Sequence, residues 1–308
     1  MSSTHPYDPS DSGLLLVFAE PGKDVSLDEF QDWYNNEHVP LRTEHFPSFR
    51  SAARYTVSST ASSSASQAYT QTTWAALYTI SPLSVLFSDP AYTRLRTERS
   101  KRESDVLARI GVLDRRIYRL TYDSDVDPAY ASLHRARADL LPQAQSEGER
   151  EQGDARTASI SNRPIKAEHA PPVVIATSVT PAEGNQEAYD EWYLGEHVEA
   201  LSRVPGWRRT RRFELVDALI IGRDAARDNG DAGSVPRCLG LHEYDSPDFS
   251  STPEFAAALN TPWRTRVMRE DNSGIAQQER RVMSLYRAWD PTAALAAAVT
   301  PAQTDSSA

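Results

Sequence analysis

FQDWYNNEHV, residues 30–39, decides the fold, because it returns as YDEWYLGEHV at residues 189–198. The two segments share Trp, Tyr, Glu, His and Val in one register, and each begins with an aromatic residue. Chance does not account for such agreement, since Trp and His are rare residues. The repeat predicts two copies of one structural unit within a single chain.

The repeat extends along the chain in both directions. Pro47–Arg50 matches Pro205–Arg208, and Arg115–Ile117 matches Arg280–Val282. In each copy an apolar run predicts a strand, and a helical stripe follows it. Two further strands, a second helical region and a last strand complete the order βαββαβ, which is the ferredoxin-like unit. Ser26 is predicted to cap the first helix and Pro40 to end it.

The same register divides the chain into four parts. We predict a first domain over 1–121, a partly disordered linker over 122–171, a second domain over 172–290 and a disordered tail over 291–308. Ser/Thr-rich 58–71 and polar 222–236 are predicted to be loops between the second and third strands of each copy.

Composition narrows the class of protein. The chain has 308 residues, a hydrophobic share of 39% and a formal net charge of -10. That charge disfavours generic binding to nucleic acid or to anionic membranes. The lone Cys238 excludes an internal disulfide and a cysteine-based metal site, so we expect a reducing, cytoplasmic location. No run approaches the roughly 20 apolar residues of a membrane span.

Trp33–Leu41 and the downstream Pro-x-aromatic-Arg resemble EthD-type members of the dimeric α/β-barrel superfamily. The second copy departs from the motif, since Glu199 and Ala200 replace its Pro and Leu. Members of that superfamily pair two four-stranded sheets into a barrel, usually between two chains. The resemblance therefore implies an α+β fold in which two ferredoxin-like βαββαβ repeats form an intramolecular dimeric α/β barrel. A further homodimer is possible.

Histidine and tyrosine side chains are the predicted catalytic groups. In each copy a histidine follows a tyrosine by four residues, so that both side chains share one helix face. Imidazole and phenol together suit general acid–base chemistry on an enolisable or phenolic substrate. The alternative is that the imidazoles are buried and only hold the helix end. The candidates are Tyr34, His38, Tyr193, His197 and His242, the last standing where the first copy has Tyr78.

Arginines and aromatic residues are the predicted substrate-binding groups. Arg50 and Arg54 lie four apart on the second strand, so alternation predicts that they share one sheet face, opposite Phe49 and Tyr55. A buried arginine could bind a carboxylate or a polyketide oxygen. The alternative is ion pairing between the two halves. The full set of candidates is Arg50, Arg54, Arg208, Arg212, Tyr78, Trp33 and Trp192. Glu37 and Glu196 could orient the histidines or pair with arginines.

The resemblance implies a small-molecule enzyme. The superfamily includes heme-free monooxygenases, isomerases, decarboxylases and polyketide cyclases, many of them without cofactors. We therefore expect a cofactor-independent enzyme acting on a small hydrophobic oxygenated substrate by cyclisation, decarboxylation, dehydration or isomerisation. A cofactor-free monooxygenase and a non-catalytic binding or assembly protein remain as alternatives. The sequence contains no nucleotide-binding, serine-hydrolase or zincin motif and no metal-site spacing, so no metal is predicted.

Overall fold

A computed structural model describes residues 7–62, 72–130, 164–225, 235–269 and 273–299. Within these ranges the chain forms eight strands, all paired antiparallel. The strands are β1 (Gly13–Glu20), β2 (Phe49–Ser62), β3 (Trp74–Ile80), β4 (Val112–Asp123), β5 (Val173–Pro181), β6 (Trp207–Ile221), β7 (Cys238–Tyr244) and β8 (Ile275–Trp289).

These strands close into one barrel in the order β1-β3-β2-β8-β5-β7-β6-β4. The first half of the chain contributes the sheet β2-β3-β1-β4, and the second half contributes β6-β7-β5-β8 in the same internal order. The two sheets join where β2 pairs with β8 and where β4 pairs with β6. The predicted fold of two βαββαβ units in one intramolecular barrel is confirmed.

Helices cover the outer face of each sheet. They are α1 (Leu27–Trp33), α2 (Pro40–Thr43), α3 (Val85–Ser88), α4 (Pro90–Thr97), α5 (Lys101–Leu107), α6 (Gln186–Trp192), α7 (Val198–Ser202), α8 (Pro253–Ala258), α9 (Pro262–Val267) and α10 (Thr292–Val299). A π-helical turn connects α1 to α2, and another connects α6 to α7. The described part of the chain has no helix with both the length and the apolarity that crossing a membrane requires.

Strand alternation divides the buried residues into three main cores. Leu15 and Val17 pack outward beneath the helices of the first half, and Val173 and Ile175 do the same in the second half. Leu14, Leu16 and Phe18 point the other way, into the barrel lumen, where they meet apolar residues of both sheets. The lumen core is therefore shared by the two halves, and burial of its apolar surface holds them together.

Bulges break the predicted alternation on β2 and β6. The register shifts between Phe49 and Ser51, which leaves Arg50 unpaired. Phe49 therefore packs under the helices and Tyr55 packs in the lumen, although strict alternation would put them on one face. A bulge reverses the faces of all residues after it. The prediction that Phe49 and Tyr55 share one face is therefore wrong. A bulge at Arg208 acts in the same way in β6, where Arg208 lines the lumen and Arg212 lies over the Tyr193 ring on the other face.

Three predicted boundaries also need correction. The predicted loop over 58–71 is wrong for residues 58–62, which continue β2 in pairing with β8. The predicted disordered tail is wrong for Thr292–Val299, a helix whose Ala294 is fully buried. Pro40 does not end the helical region but opens α2, because a first-turn residue needs no hydrogen-bonded N–H. Residues 63–71, 131–163, 226–234 and 300–308 of the two predicted loops, the linker and the tail lie outside the described residues.

Candidate active site

A π-helical turn brings the tyrosine and histidine of each motif together. In the first half the turn spans Tyr34–His38, and the Val39 N–H donates to the Tyr34 carbonyl oxygen over 3.1 Å. The ring centroids of Tyr34 and His38 lie 4.8 Å apart, and those of Tyr193 and His197 lie 5.2 Å apart. The predicted juxtaposition is therefore present in both halves. Single π turns inside helices are frequent at functional sites.

In the first half, His38 lines a cavity between the helices and the sheet. The cavity measures about 80 Å³, counted as space open to the centre of a water molecule. Its floor is the outer face of the sheet, where Leu15 and Val17 lie beside Tyr78. Its walls include Arg42 and residues of α4 and α5. The space suits a small group rather than a large ligand, since one water takes about 10–15 Å³ in this measure.

Glu103 orients the His38 imidazole. The Nδ1 atom of His38 lies 3.0 Å from Oε1 of Glu103, and both side chains are buried. A carboxylate can only accept, so the hydrogen-bond network assigns the ring proton to Nδ1. The Nε2 atom then carries the lone pair, and it has no hydrogen-bond partner in the described part of the chain. This arrangement is that of a general base held in one tautomer.

Burial keeps His38 neutral. Desolvation lowers the pKa of His38 to about 4, the Arg42 charge lowers it too, and Glu103 opposes both. At pH 7 the imidazole is therefore unprotonated and can accept a proton. Burial raises the pKa of Glu103, but the hydrogen bond from His38 and the charges of Arg42 and Arg99 outweigh burial and lower that pKa, so Glu103 stays ionised. An anion bound beside Arg42 would offset the arginine charge and make Nε2 a stronger base.

Two phenols stand beside the imidazole. Tyr34 and Tyr78 are almost completely buried, and desolvation raises the pKa of each above the ordinary value. The two hydroxyls face each other, and neither has a further hydrogen-bond partner among the described residues. The guanidinium of Arg54 lies 4.3 Å from the Tyr34 ring centroid, held by Asn35 at 2.6 Å. Both phenols therefore keep their protons at neutral pH, and Tyr78, which lines the cavity, can donate a hydrogen bond to a substrate oxygen.

Arginines make the cavity positive. Arg42 is buried, donates to the His38 carbonyl oxygen over 2.5 Å and leaves its Nε without a partner. Arg115 binds Asp217 over 2.6 Å and leaves Nε and Nη1 without partners. Arg96 and Arg99 add two more positive charges at the exposed rim. Glu103 is the single acidic residue among the described residues of this lining. Four cations around one carboxylate favour an anionic substrate.

Among the described residues of the second half, no carboxylate is hydrogen-bonded to the motif histidine. Ser100 and Thr261 are equivalent, since each caps a helix and binds the motif glutamate of its own half, Glu37 or Glu196. Three residues after these caps stand Glu103 and Arg264, respectively. Burial is the main reason that the pKa of His197 is low. The neighbouring His242 and the charge of Arg264 lower it further. The Nδ1 atom of His197 is buried and has no hydrogen-bond partner in the described part of the chain.

His242 belongs to a closed hydrogen-bond chain. Its Nε2 lies 3.1 Å from the Tyr193 hydroxyl, and its Nδ1 lies 3.1 Å from Oγ1 of Thr210, which accepts from the Trp207 indole over 3.0 Å. Burial lowers the pKa of His242 to about 3. The structure thus brings three predicted residues together, His242, Tyr193 and His197. Both nitrogens of His242 are occupied by neighbours.

The other predicted site residues lie outside the first-half cavity. Trp33 and Trp192 are buried in the cores and pack against His38 and His197, with ring centroids 4.7 and 4.4 Å apart. Arg50 donates to the Ser81 carbonyl oxygen over 3.3 Å. Arg212 lies over the Tyr193 ring and pairs with Asp190 at 2.5 Å, and Arg208 lines the barrel mouth. These positions indicate packing and ion-pairing roles for five of the predicted residues.

Sequence analysis missed Glu103, Arg42 and Arg115. Arg42 follows His38 by four residues, so the helical spacing that paired Tyr34 with His38 also pointed to it. Ser100-x-x-Glu103 reads as a capping box, a pattern that locates a helix start but not a partner 65 residues away. Alignment of the second helical regions, with Thr261 set against Ser100, would have shown the exchange of Glu103 for Arg264.

No group of three or more His, Cys, Asp or Glu side chains that could hold a metal ion occurs in the described ranges. No protein-family model and no curated protein matches the chain. Among solved structures, an anthrone oxidase-like protein matches with 13% identity and a TM-score of 0.47, over 92% of this chain and 94% of that one. A candidate monooxygenase from Fusobacterium nucleatum matches with 11% identity and a TM-score of 0.47, over 91% of this chain and 95% of that one.

A candidate chlorite dismutase matches with 10% identity and a TM-score of 0.45, over 93% of this chain and 98% of that one. Likenesses at these values assign no activity to this chain. The closed strand order of the barrel defines the fold.

Proposed function

We propose that the first-half cavity is the active site of a cofactor-independent enzyme that moves protons on a small, acidic, oxygenated substrate. One observation carries the proposal: among the described residues, a buried carboxylate holds the motif histidine in one tautomer beside a cavity in the first half and not in the second. Because Arg264 replaces Glu103, the second half supports the barrel without a matching base. The product could be a tautomer, a cyclised compound or a decarboxylated one.

The residues define a proton-transfer step. Nε2 of His38 takes a proton from a carbon next to a carbonyl group, and the C–H electron pair moves to form the enolate. Glu103 stabilises the imidazolium that results. Tyr78, which lines the cavity, donates a hydrogen bond to the oxygen that becomes negative and keeps its proton. The imidazolium then returns the proton at another atom of the substrate.

The arginines would act on the acidic group of the substrate. Arg42 has an unpartnered Nε, and Arg115 has two unpartnered nitrogens, so both have donors left for a carboxylate or an enolate oxygen. Arg96 and Arg99 at the rim would attract the anion from solution. A substrate bound in this way lies with its acidic group toward α4 and its reacting carbon toward His38.

Deuterium exchange tests the step without knowledge of the natural substrate. Phenylpyruvate carries an aromatic ring, a carboxylate and an enolisable methylene, and benzyl methyl ketone is its uncharged counterpart. We expect the protein to accelerate methylene exchange of phenylpyruvate in deuterated water, followed by NMR, and to act much less on the ketone. His38→Gln should abolish the acceleration, whereas His197→Gln, its counterpart in the second half, should retain it.

Two results would contradict the proposal. One is an absence of protein-dependent exchange with phenylpyruvate. The other is equal exchange by the wild-type protein and by folded His38→Gln, checked by its thermal unfolding. An oxygen electrode in the same assay distinguishes simple proton transfer from a cofactor-free oxygenation, in which the enolate would go on to react with dioxygen.

A further inference from the structure

A second cavity opens at one end of the barrel lumen, on the other side of the sheet from His38. It measures about 260 Å³ in the same measure, which corresponds to on the order of twenty water molecules. Leu14, Ala53 and Leu77 form its apolar floor, and these residues belong to the lumen core. Residues 164–171, which lead into β5, and Trp289 at the end of β8 complete its walls.

Asymmetry between the two halves creates this space. In the register in which Arg54 matches Arg212, Ser51 and Ala53 of β2 match Arg209 and Arg211 of β6. Small side chains on one sheet therefore face arginines on the other. Likewise Thr79 of β3 stands where β7 has Glu243. Arginines at the positions of Ser51 and Ala53 would place two more long side chains in this space. The cavity therefore depends on the small side chains of the first half.

The charges around the cavity are already paired. Nη2 of Arg211 binds Oε1 of Glu243 over 2.7 Å, and Arg209 binds Asp123 and Asp125. Arg208 lies 3.4 Å from Asp245. A buried ion without a counter-ion costs several kcal/mol, so a charged ligand would have to break one of these pairs. The mouth of the lumen therefore favours a ligand without net charge, in contrast to the cavity at His38.

Two buried polar groups still have hydrogen-bonding capacity there. Arg211 is buried, and its Nε has no hydrogen-bond partner among the described residues. Tyr55 is 1% exposed, and its hydroxyl has no hydrogen-bond partner among the described residues. Burial first, and the nearby Glu243 carboxylate second, raise the pKa of Tyr55, so the phenol stays protonated. The Arg211 Nε–H needs an acceptor, whereas the Tyr55 hydroxyl can donate or accept a hydrogen bond. Together they match a carbonyl or hydroxyl group of a ligand.

We propose that the lumen mouth is a second small-molecule site, which binds a neutral ring compound bearing a hydroxyl or carbonyl oxygen. The oxygen lies between Arg211 Nε and the Tyr55 hydroxyl, and the ring lies on Leu14, Ala53 and Leu77. The site faces the lumen, whereas His38 faces the helical layer, so the two sites are separated by the sheet. Its existence does not depend on the activity proposed for His38.

The test uses β-naphthol as the neutral probe and β-naphthoate as its charged counterpart, with binding measured by calorimetry. We expect β-naphthol to bind and β-naphthoate to bind at least tenfold more weakly. Tyr55→Phe should weaken β-naphthol binding about 2- to 10-fold, the range of one neutral hydrogen bond. Ala53→Phe should abolish binding by filling the cavity. Tyr118→Phe is the matched control, since it removes another buried lumen hydroxyl that does not line this cavity.

Nuclear Overhauser contacts from β-naphthol to the Leu14 and Leu77 methyl groups give a readout that needs no variant. Contacts to both residues, with unchanged binding in His38→Gln, support the second site. A failure of β-naphthol to bind would overturn the proposal. So would tighter binding of β-naphthoate, full binding by Ala53→Phe, equal weakening by Tyr118→Phe, or contacts to Leu15 and Val17 beside His38 instead.

Discussion

Glu103 and Arg264 occupy the same position in the two halves of the barrel, three residues after the hydroxyl side chain that caps each helix. Glu103 accepts a hydrogen bond from the motif histidine of its half, whereas Arg264 lowers the pKa of the other. One exchange of charge thus separates a histidine that is held in a single tautomer from one whose Nδ1 has no partner.

Glu103 substitutions should separate its charge from its hydrogen bond. Glu103→Gln retains an acceptor for Nδ1–H but removes the charge that raises the His38 pKa, so that pKa should fall below about 4. Glu103→Leu removes the acceptor as well and should release the tautomer. We expect phenylpyruvate exchange to fall about tenfold in the first variant and roughly 10²- to 10⁴-fold in the second. NMR of the imidazole nitrogens reports the tautomer.

Arg264→Gln is the matched control for the Glu103 variants. It changes the equivalent residue of the second half, and we expect it to leave exchange unchanged. If Glu103→Leu retained both the Nδ1–H tautomer and full exchange, the role assigned to the carboxylate would be wrong.

Arg264→Glu should build the missing pair in the second half. A carboxylate at this position replaces a charge that lowers the His197 pKa by one that raises it. We therefore expect the His197 pKa to move upward, toward its ordinary value, while the His38 pKa stays unchanged. A pH titration of the imidazole Hε1 resonances measures both. An unchanged His197 pKa would show that residue 264 does not face the ring.

The repeat made the fold predictable from the sequence. The match of Trp33-Tyr34 and Glu37-His38 to Trp192-Tyr193 and Glu196-His197 indicated two similar units, and strand alternation with one helical stripe gave the order of elements. The paired tyrosine and histidine rings followed from helical spacing. These features depend on residues close together in the chain, which sequence patterns report directly.

Bulges and long-range contacts limited the rest of the prediction. A single unpaired residue, Arg50, reverses the faces of β2, and no residue type in that stretch marks the bulge. The Glu103 partner of His38 comes from α5, far along the chain, and helix patterns do not specify partners. The Ala-rich segment Thr292–Val299 has the composition of a frayed tail but forms a helix that contacts α2 and β2. Tertiary packing decides each of these cases.

Buried histidines should make the protein lose stability in mild acid. Burial is the main reason that the pKa of His38 is about 4 and that of His242 about 3, and it also lowers the pKa of His197. The unfolded chain, with histidine pKa values near 6.5, binds more protons than the folded chain below about pH 6.5, so stability rises with pH there. The free energy of unfolding should therefore decrease as the pH drops below about 6.5. The loss due to each histidine should stop growing below the pKa of that histidine in the folded chain.

We expect a loss of about 2 kcal/mol per buried histidine between pH 7.5 and 5, measured by urea unfolding at both values. His242→Gln should reduce this dependence on pH, even if it lowers stability at pH 7.5 by breaking the chain with Tyr193 and Thr210. His169 is exposed, and His169→Gln should leave the pH dependence unchanged. Equal stability of the wild-type protein at the two pH values would contradict the expectation.

Four buried charged side chains lie at the end of the lumen opposite the second cavity, and removal of any one of them should destabilise the protein. Arg116 binds Asp114 at 2.6 Å and Glu279 at 2.8 Å, and Glu279 also binds Arg281, which lies 3.6 Å from the Phe18 ring centroid. All four charged residues are buried.

Glu279→Gln leaves three charges of which two are positive, and an uncompensated buried charge costs about 3–5 kcal/mol. Glu214→Gln, which breaks a half-exposed pair with Arg119 on the outside of the barrel, should cost less than about 1 kcal/mol. Urea unfolding compares the two variants, and similar losses in both would mean that the lumen network is solvated like the surface.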